Sequence, residues 1–169
     1  MVTGTRFIIT GLGIQRKKSM KKFNLMILSL CFLLTGCKID RKAEMPEHFT
    51  AIMRKNNYLV KNIITDYSEN IDIEAAIIAM RDNYQIEYYK VSSEDKAIEM
   101  FNVNKEKFQR SKENSSLEKS TSIGNYSKYV LKVNSRYKVV SRIGDTLIYA
   151  DVPESEEEST KKVLKELEY

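Results

Sequence analysis

The segment Met20–Cys37 (MKKFNLMILSLCFLLTGC) constrains this chain more than any other stretch, because its residues follow a fixed functional order. Two lysines, Lys21 and Lys22, precede the twelve residues Phe23–Leu34, which are apolar at all but two positions. As a helix this run would cover roughly 18 Å, whereas the hydrocarbon core of a bilayer is about 30 Å thick. A basic start, a short apolar run and a small-residue tail are typical of a secretory signal.

The end of this segment carries a motif for lipid attachment. Leu34-Thr35-Gly36-Cys37 resembles the lipobox of bacterial lipoprotein precursors, whose usual form is Leu, a small residue, Gly or Ala, and Cys. The resemblance implies cleavage between Gly36 and Cys37, a diacylglyceryl group on the Cys37 sulfur, and acylation of the new amine as a further step. It also implies a protein held by lipid chains on the extracytoplasmic face of the membrane.

Nineteen residues precede this segment, and two explanations of them compete. In the first, Met20 is the true start and the upstream residues are a mis-assigned extension. In the second, residues 1–19 are an elongated basic region that keeps this end in the cytoplasm. We favour Met20 as the start.

The positive charge of the chain belongs to its first part. Residues 1–36 contain six Lys and Arg and no Asp or Glu, which leaves 22 basic and 23 acidic side chains in residues 37–169. We therefore expect no nucleic-acid partner, since that function needs a basic footprint on the folded domain. Cys31 and Cys37 are the two cysteines, so the domain that follows has neither a disulfide nor a thiol nucleophile.

Composition predicts three parts: a signal peptide over residues 1–36, a lipidated tether over 37–46 and a single domain over 47–169. Lys38–Pro46 is polar, lacks periodicity and ends on a proline. Its nine residues reach about 30 Å when fully extended. We therefore expect the domain to lie close to the membrane surface.

Three segments carry apolar residues at helical spacing, namely Glu47–Asn56, Ser92–Lys112 and Ser155–Leu167. The last two open on Ser with an acidic residue three positions later, Ser92 with Asp95 and Ser155 with Glu158, which predicts a capping box at each helix start. The final helix also has acidic residues in its first turn and lysines in its later turns, as the helix dipole favours.

Strand-like runs occupy most of the remainder: Tyr58–Thr65, Tyr84–Val91, Tyr126–Val133, Tyr137–Ile143 and Thr146–Val152. Ile73–Met80 fits either a buried strand or a buried helix. Ser111–Ser122, with six Ser or Thr in twelve positions, predicts a loop between helix and sheet. We expect an α+β fold in two layers, with the helices packed on one face of a mainly antiparallel sheet, a C-terminal β-meander and a final helix.

The domain carries no recognisable catalytic or metal-binding motif. Its carboxylates Glu87, Glu99, Asp145 and Asp151 are scattered among the predicted elements, and no Cys or second His follows His48. We predict no catalytic residue, no metal site and no cofactor.

Tyrosine provides the clearest candidate for binding, because all ten tyrosines follow the signal. A wet sheet face bearing Tyr84, Tyr88, Tyr126 and Tyr129 could stack on sugars or hold a partner protein. The alternative is structural, since sheets favour tyrosine in any case. The leading hypothesis is a lipid-anchored binding or interaction module near the membrane, with an envelope protein or a cell-wall glycan as partner. The alternative is a small envelope hydrolase with an unrecognised carboxylate site.

Overall fold

Two consecutive sets of hairpins, rich in β-branched and aromatic residues, join into one antiparallel sheet. The computed structural model describes residues 40–67, 69 and 72–169, so the signal segment, Gly36 and Cys37 lie outside the described residues. The sheet order is β1-β2-β3-β7-β6-β5-β4. The strands are β1 (Leu59–Asn62), β2 (Ile73–Arg81), β3 (Tyr84–Val91), β4 (Leu117–Ile123), β5 (Tyr126–Val133), β6 (Arg136–Ile143) and β7 (Thr146–Pro153).

Tight turns fix the register of the predicted C-terminal β-meander. Asn134 and Ser135, between β5 and β6, both have positive φ angles, 51° and 58°, as a type I′ turn requires. Gly144 follows β6 at a φ of 56°, which a residue without Cβ adopts with little strain. The meander is confirmed by the pairing of β5 with β6 and of β6 with β7, and the final helix follows it after one short turn.

Three helices cover the sheet: α1 (Pro46–Lys55), α2 (Glu94–Gln109) and α3 (Glu157–Glu166). Phe49 of α1 and Leu164 of α3 belong to one buried cluster, whereas Phe101 and Phe108 of α2 belong to another. The α+β class is confirmed, but the helices lie on both faces of the sheet, so that the domain has three layers.

The expectation of helices on a single face is wrong because the central strands bury apolar side chains on both faces of the sheet. Along β6, Val139 and Ile143 pack in the cluster with α1 and α3, while Val140, between them in the chain, packs in the cluster with α2. Because both faces of these strands are apolar, both must be covered from water.

Helix α2 crosses the face of the sheet opposite α1 and α3, because it connects two strands that lie far apart in the sheet. It leaves β3, in the middle of the sheet, and leads to β4 at the edge, four strand spacings away. At about 4.8 Å per spacing the distance is roughly 19 Å, and the 16 residues of α2 span about 24 Å. The helix is thus long enough to cross β7, β6 and β5 in one piece.

The prediction of a loop over Ser111–Ser122 is wrong for its second half. Leu117–Ile123 forms β4 and pairs with β5 from Leu117↔Lys132 to Ile123↔Tyr126. The side chains of this edge strand are mostly exposed. Leu117 packs against the core, but the rest of the strand is held mainly by its backbone, so the sequence shows no apolar alternation there.

Both predicted helix starts shift by one or two residues. Ser93, not Ser92, caps α2, because its Oγ accepts a hydrogen bond from the Lys96 amide at 3.3 Å. α3 begins at Glu157 after the 3₁₀ turn Glu154–Glu156, and the expected Ser155–Glu158 capping box does not form.

The polar segment interpreted as a tether is attached to the domain from Arg41 onward. The Arg41 amide donates to Asn125 Oδ1, and Asn125 Nδ2 donates to the Arg41 carbonyl, both at 2.8 Å. The Tyr88 hydroxyl donates to the Glu44 carbonyl at 2.7 Å, and Ala43 packs against the core. The part of this segment that is free to act as a tether is therefore shorter than nine residues.

Candidate functional site

A cleft of about 560 Å³ opens between α2 and the sheet, and we call it the α2 cleft. Its walls come from α2, from β2, β3 and β7, and from the 3₁₀ turn Ile64–Tyr67. Helix α2 packs most extensively on β6, and the cleft lies beside this contact, where the helix faces β3 and β7.

Tyrosine rings form one wall of the α2 cleft. The Tyr67 and Tyr89 hydroxyls are 3.1 Å apart, and their rings meet edge to face at 5.8 Å between centroids. The Tyr149 ring packs on Phe108 with the centroids 5.1 Å apart. Burial raises the pKa of Tyr149 to about 12, and its hydroxyl makes no hydrogen bond to another described residue. This hydroxyl therefore stays protonated and available to a ligand.

Glu87 supplies the central polar group of the α2 cleft. Its Oε2 accepts from the Tyr89 hydroxyl at 2.7 Å, and its Oε1 accepts from Gln85 Nε2 at 2.8 Å. Burial, the contact with Tyr67 and the bond to Glu87 raise the pKa of Tyr89, so Tyr89 remains a donor. Each carboxylate oxygen accepts only one of these bonds and can accept a second one from a ligand.

Helix α2 provides the opposite wall, which mixes polar and apolar side chains. Asn104 Nδ2 donates to the Met100 carbonyl at 2.9 Å, which leaves its Oδ1 as an acceptor. Lys96 Nζ lies 3.1 Å from Asp72 Oδ2. Val103 is 47% exposed at this wall, so apolar surface is open beside hydrogen-bonding groups.

The structure buries all four tyrosines that were considered as a binding surface. Tyr84 and Tyr126 are 6% and 7% exposed, and Tyr88 and Tyr129 are fully buried. Tyr84, Tyr88 and Tyr126 pack on the face with α1 and α3, whereas Tyr129 packs on the opposite face. Because helices cover both faces, these tyrosines are core residues and form no common exposed surface.

The four scattered carboxylates are only partly brought together. Glu87 and Glu99 both line the α2 cleft, whereas Asp145 lies near Lys90 at 3.6 Å and Asp151 binds Arg136 at 2.7 Å. His48 is on α1 and pairs with Glu44. Within residues 40–67, 69 and 72–169, no cluster of three His, Cys, Asp or Glu side chains could hold a metal ion.

Sequence reasoning missed Tyr67 and Asn104 as residues of the cleft. Tyr67 lies in a 3₁₀ turn within a polar stretch, which gave no periodic signal. Asn104 has the helical spacing of an inner-stripe residue with Met100 and Phe108, but its amide borders a cleft rather than the closed core. Tyr149 is one of ten tyrosines, and it lies outside the four that the sequence suggested as a binding surface.

No known protein family, curated protein or solved structure matches this chain. None of the helices in the described part of the chain has the length and apolar character needed to cross a bilayer.

Proposed function

We propose that this chain is the precursor of a lipid-anchored envelope protein whose folded domain binds a ligand in the α2 cleft. The anchor rests on the lipobox Leu34-Thr35-Gly36-Cys37. The binding function rests on one observation: the α2 cleft combines tyrosine rings with polar groups, Glu87 and the Tyr149 hydroxyl, that retain hydrogen-bonding capacity.

A short glycan is the ligand class that this chemistry fits best. Sugar rings offer apolar C–H faces to aromatic side chains and hydroxyl edges to carboxylates and amides. The charged groups of the cleft are nearly balanced, with Asp72, Glu87 and Glu99 against Lys96 and Lys107, which favours a ligand without strong charge. The volume of about 560 Å³ is typical of pockets for small ligands.

Binding is tested with peptide-free cell-wall glycan oligomers as the probe and calorimetry on the purified protein as the measurement. Glu87→Gln replaces one acceptor oxygen and the negative charge by an amide donor, and Tyr149→Phe removes a hydroxyl, both with little change in the size of the side chain. We expect each to weaken binding by about fivefold to tenfold, as the loss of about one hydrogen bond implies.

Two controls on exposed positions outside the cleft accompany these variants. Glu158→Gln makes the same charge change at a side chain that is 86% exposed, and Ile98→Ala alters an exposed apolar residue of α2. Both should bind like the unmodified protein. Equal affinity of all variants, or no binding of the glycan at all, would contradict the proposal for the cleft.

The same samples distinguish a binding protein from the hydrolase alternative. Because Glu87 and Glu99 line one cleft, the incubated glycan is analysed for shortened fragments. Fragments that appear with the unmodified protein and disappear with Glu87→Gln would support the hydrolase; intact glycan supports the binding module.

A further inference from the structure

A second cleft, which we call the basic cleft, lies between the docked N-terminal segment, β5 and α3. It has a volume of about 670 Å³. Among the described residues, two carboxylate side chains line it, those of Asp40 and Glu168. It concentrates positive charge on a body whose basic and acidic side chains number 22 and 23. Its cations are Arg41, Lys42, Lys128, Lys161 and Lys165.

Lys128 is the deepest cation of the basic cleft. Its Nζ donates to the main-chain oxygen of Tyr169 at 3.1 Å and is in no ion pair with a carboxylate side chain of the described residues. Burial lowers the pKa of Lys128, and the nearby charges of Arg41 and Lys161 lower it further. An anion entering the cleft would relieve this repulsion.

The other cations differ in how far the protein already neutralises them. Lys161 binds Glu157 at 2.6 Å and Glu158 at 2.9 Å, so its charge is largely compensated. Lys42 and Lys165 form no ion pair with another described residue. They therefore leave two positive charges without a carboxylate partner beside Lys128, whose Nζ binds the Tyr169 main-chain oxygen.

The position of the basic cleft in the chain relates it to the membrane, and this step rests on the proposed lipid anchor. Arg41, docked on the domain, follows Cys37 by four residues. Four residues span at most about 14 Å. An acylated Cys37 would therefore keep the basic cleft near the headgroups, where attraction between lysines and anionic lipids acts over a Debye length of about 8 Å.

We propose that the basic cleft binds the phosphate of an anionic membrane lipid beside the anchor and so fixes the orientation of the domain on the membrane. Charge complementarity and the short chain between Cys37 and Arg41 both support a lipid headgroup as the occupant. Each lysine brought to an anionic surface strengthens the association by roughly fivefold. The α2 cleft lies on the opposite face of the sheet and remains open in this orientation.

The test labels accessible lysines chemically by acylation and measures the labelling rate of each lysine by mass spectrometry. The native protein is reconstituted in phosphatidylcholine vesicles with and without phosphatidylglycerol. We expect the labelling of Lys42 and Lys165 to slow by about threefold or more with the anionic lipid and to recover at about 1 M salt, where the Debye length is about 3 Å. Lys61 and Lys119, exposed on β1 and β4, should be labelled equally in both vesicles.

Two pairs of substitutions with the same change of charge complete the test. The double variant Lys42→Gln with Lys165→Gln should show less protection of Lys128 and Lys161 by phosphatidylglycerol, whereas Lys61→Gln with Lys119→Gln should show the full effect. Equal labelling of Lys42 and Lys165 in the two vesicles would overturn the proposal. Inorganic phosphate that slows their labelling as much as the lipid does would assign the cleft to free phosphate instead.

Flotation with pure phosphatidylcholine vesicles reports on the anchor alone. A protein that floats but shows no protection in phosphatidylglycerol vesicles retains its anchor and refutes the basic cleft. If the protein does not float, the anchor is refuted. The labelling rates are then measured with the protein added from solution to phosphatidylglycerol vesicles. Protection of the lysines in this experiment still supports the basic cleft, and the absence of protection refutes it.

Discussion

The Arg41 guanidinium lies over the ring of Tyr126, with 3.6 Å between its Cζ and the ring centroid. Its Nη1 also donates to the Glu168 carbonyl at 2.9 Å, beyond the end of α3. One side chain thus joins the segment that precedes α1 to the start of β5 and to the C-terminal helix. The folded domain consequently begins before the residues that helical periodicity marks.

Replacing Arg41 tests whether this contact holds the N-terminal segment in place. Arg41→Ala should lower the free energy of unfolding by about 1–2 kcal/mol, because a cation–π contact and a charge-assisted hydrogen bond are lost. Urea denaturation measures the change. Arg54→Ala, at an exposed position in the last turn of α1, is the matched control and should have little effect. Equal stability of the two variants would show that the contact contributes nothing.

Lys128 should destabilise the domain at neutral pH. Its pKa is lowered below 10.5 by burial and by Arg41 and Lys161, so the unfolded chain binds the proton more tightly. Stability from this group therefore rises as the pH increases through the lowered pKa towards 10.5.

The substitution Lys128→Met should thus raise the free energy of unfolding at pH 7, on the order of 1 kcal/mol, by replacing a buried charge with an apolar chain. The gain over the unmodified protein should shrink as the pH approaches 10.5. Urea denaturation at both pH values measures it, and Lys119→Met on β4 should give no gain. A loss of stability on Lys128→Met would mean that the bond to the Tyr169 oxygen outweighs the burial of charge.

Glu156 should stabilise the domain except in acid. Its Oε2 accepts from Ser159 Oγ at 2.9 Å, from Arg81 Nη2 at 2.6 Å and from the Tyr84 hydroxyl at 3.1 Å, and these bonds lower the pKa of the carboxyl below 4.5. A group with a lowered pKa in the folded state contributes stability above 4.5, which is lost as the pH falls through the lowered value.

Glu156→Gln should therefore be less stable than the unmodified protein at neutral pH, and the difference should diminish below pH 4.5. Denaturation curves over this pH range provide the measurement. Glu158→Gln, at an exposed neighbouring position, serves as the control and should differ little from the unmodified protein at neutral pH. A constant gap between Glu156→Gln and the unmodified protein at all pH values would contradict the assignment.

Hydrogen exchange can separate the edge strand β4 from the loop that its composition suggests. Within Leu117–Ile123, the amides directed at β5 should exchange slowly and the alternate amides quickly. The amides of Glu113 and Asn114, in the turn that precedes the strand, should exchange quickly. Uniformly fast exchange over both segments would contradict the pairing with β5.

Local sequence patterns were sufficient to predict those helices and strands whose buried side chains recur with the period of the element. The meander was predictable from the turns at Asn134 and Gly144, and α2 from its apolar stripe of Ala97 and Phe101. β4 was not predictable in this way, since an edge strand can be held by its backbone alone. Gly124, at a φ of 57° just before β5, is the turn residue that could have indicated it.

The candidate site depended on relations that no local pattern contains. The sequence could show many tyrosines but not which sheet face lies open, because both faces of β3 and β7 are apolar. It also gave no reason to connect Arg41 with Lys128 and Lys165, which are far apart in the chain and meet only through the docking of the N-terminal segment. The positions of both candidate clefts therefore depend on which helix covers each face of the sheet.

The pairing of β3 with β7 has a consequence for the timing of folding. Ile86 pairs with Ala150, and β7 is the strand that connects the first hairpins to the C-terminal meander. Until β7 has been synthesised, β1–β3 and α2 lack the partner that completes their sheet, and such long-range pairing forms slowly. Completion of the sheet therefore waits for β7, and a chain that stays unfolded until then suits the export route that we propose for this protein.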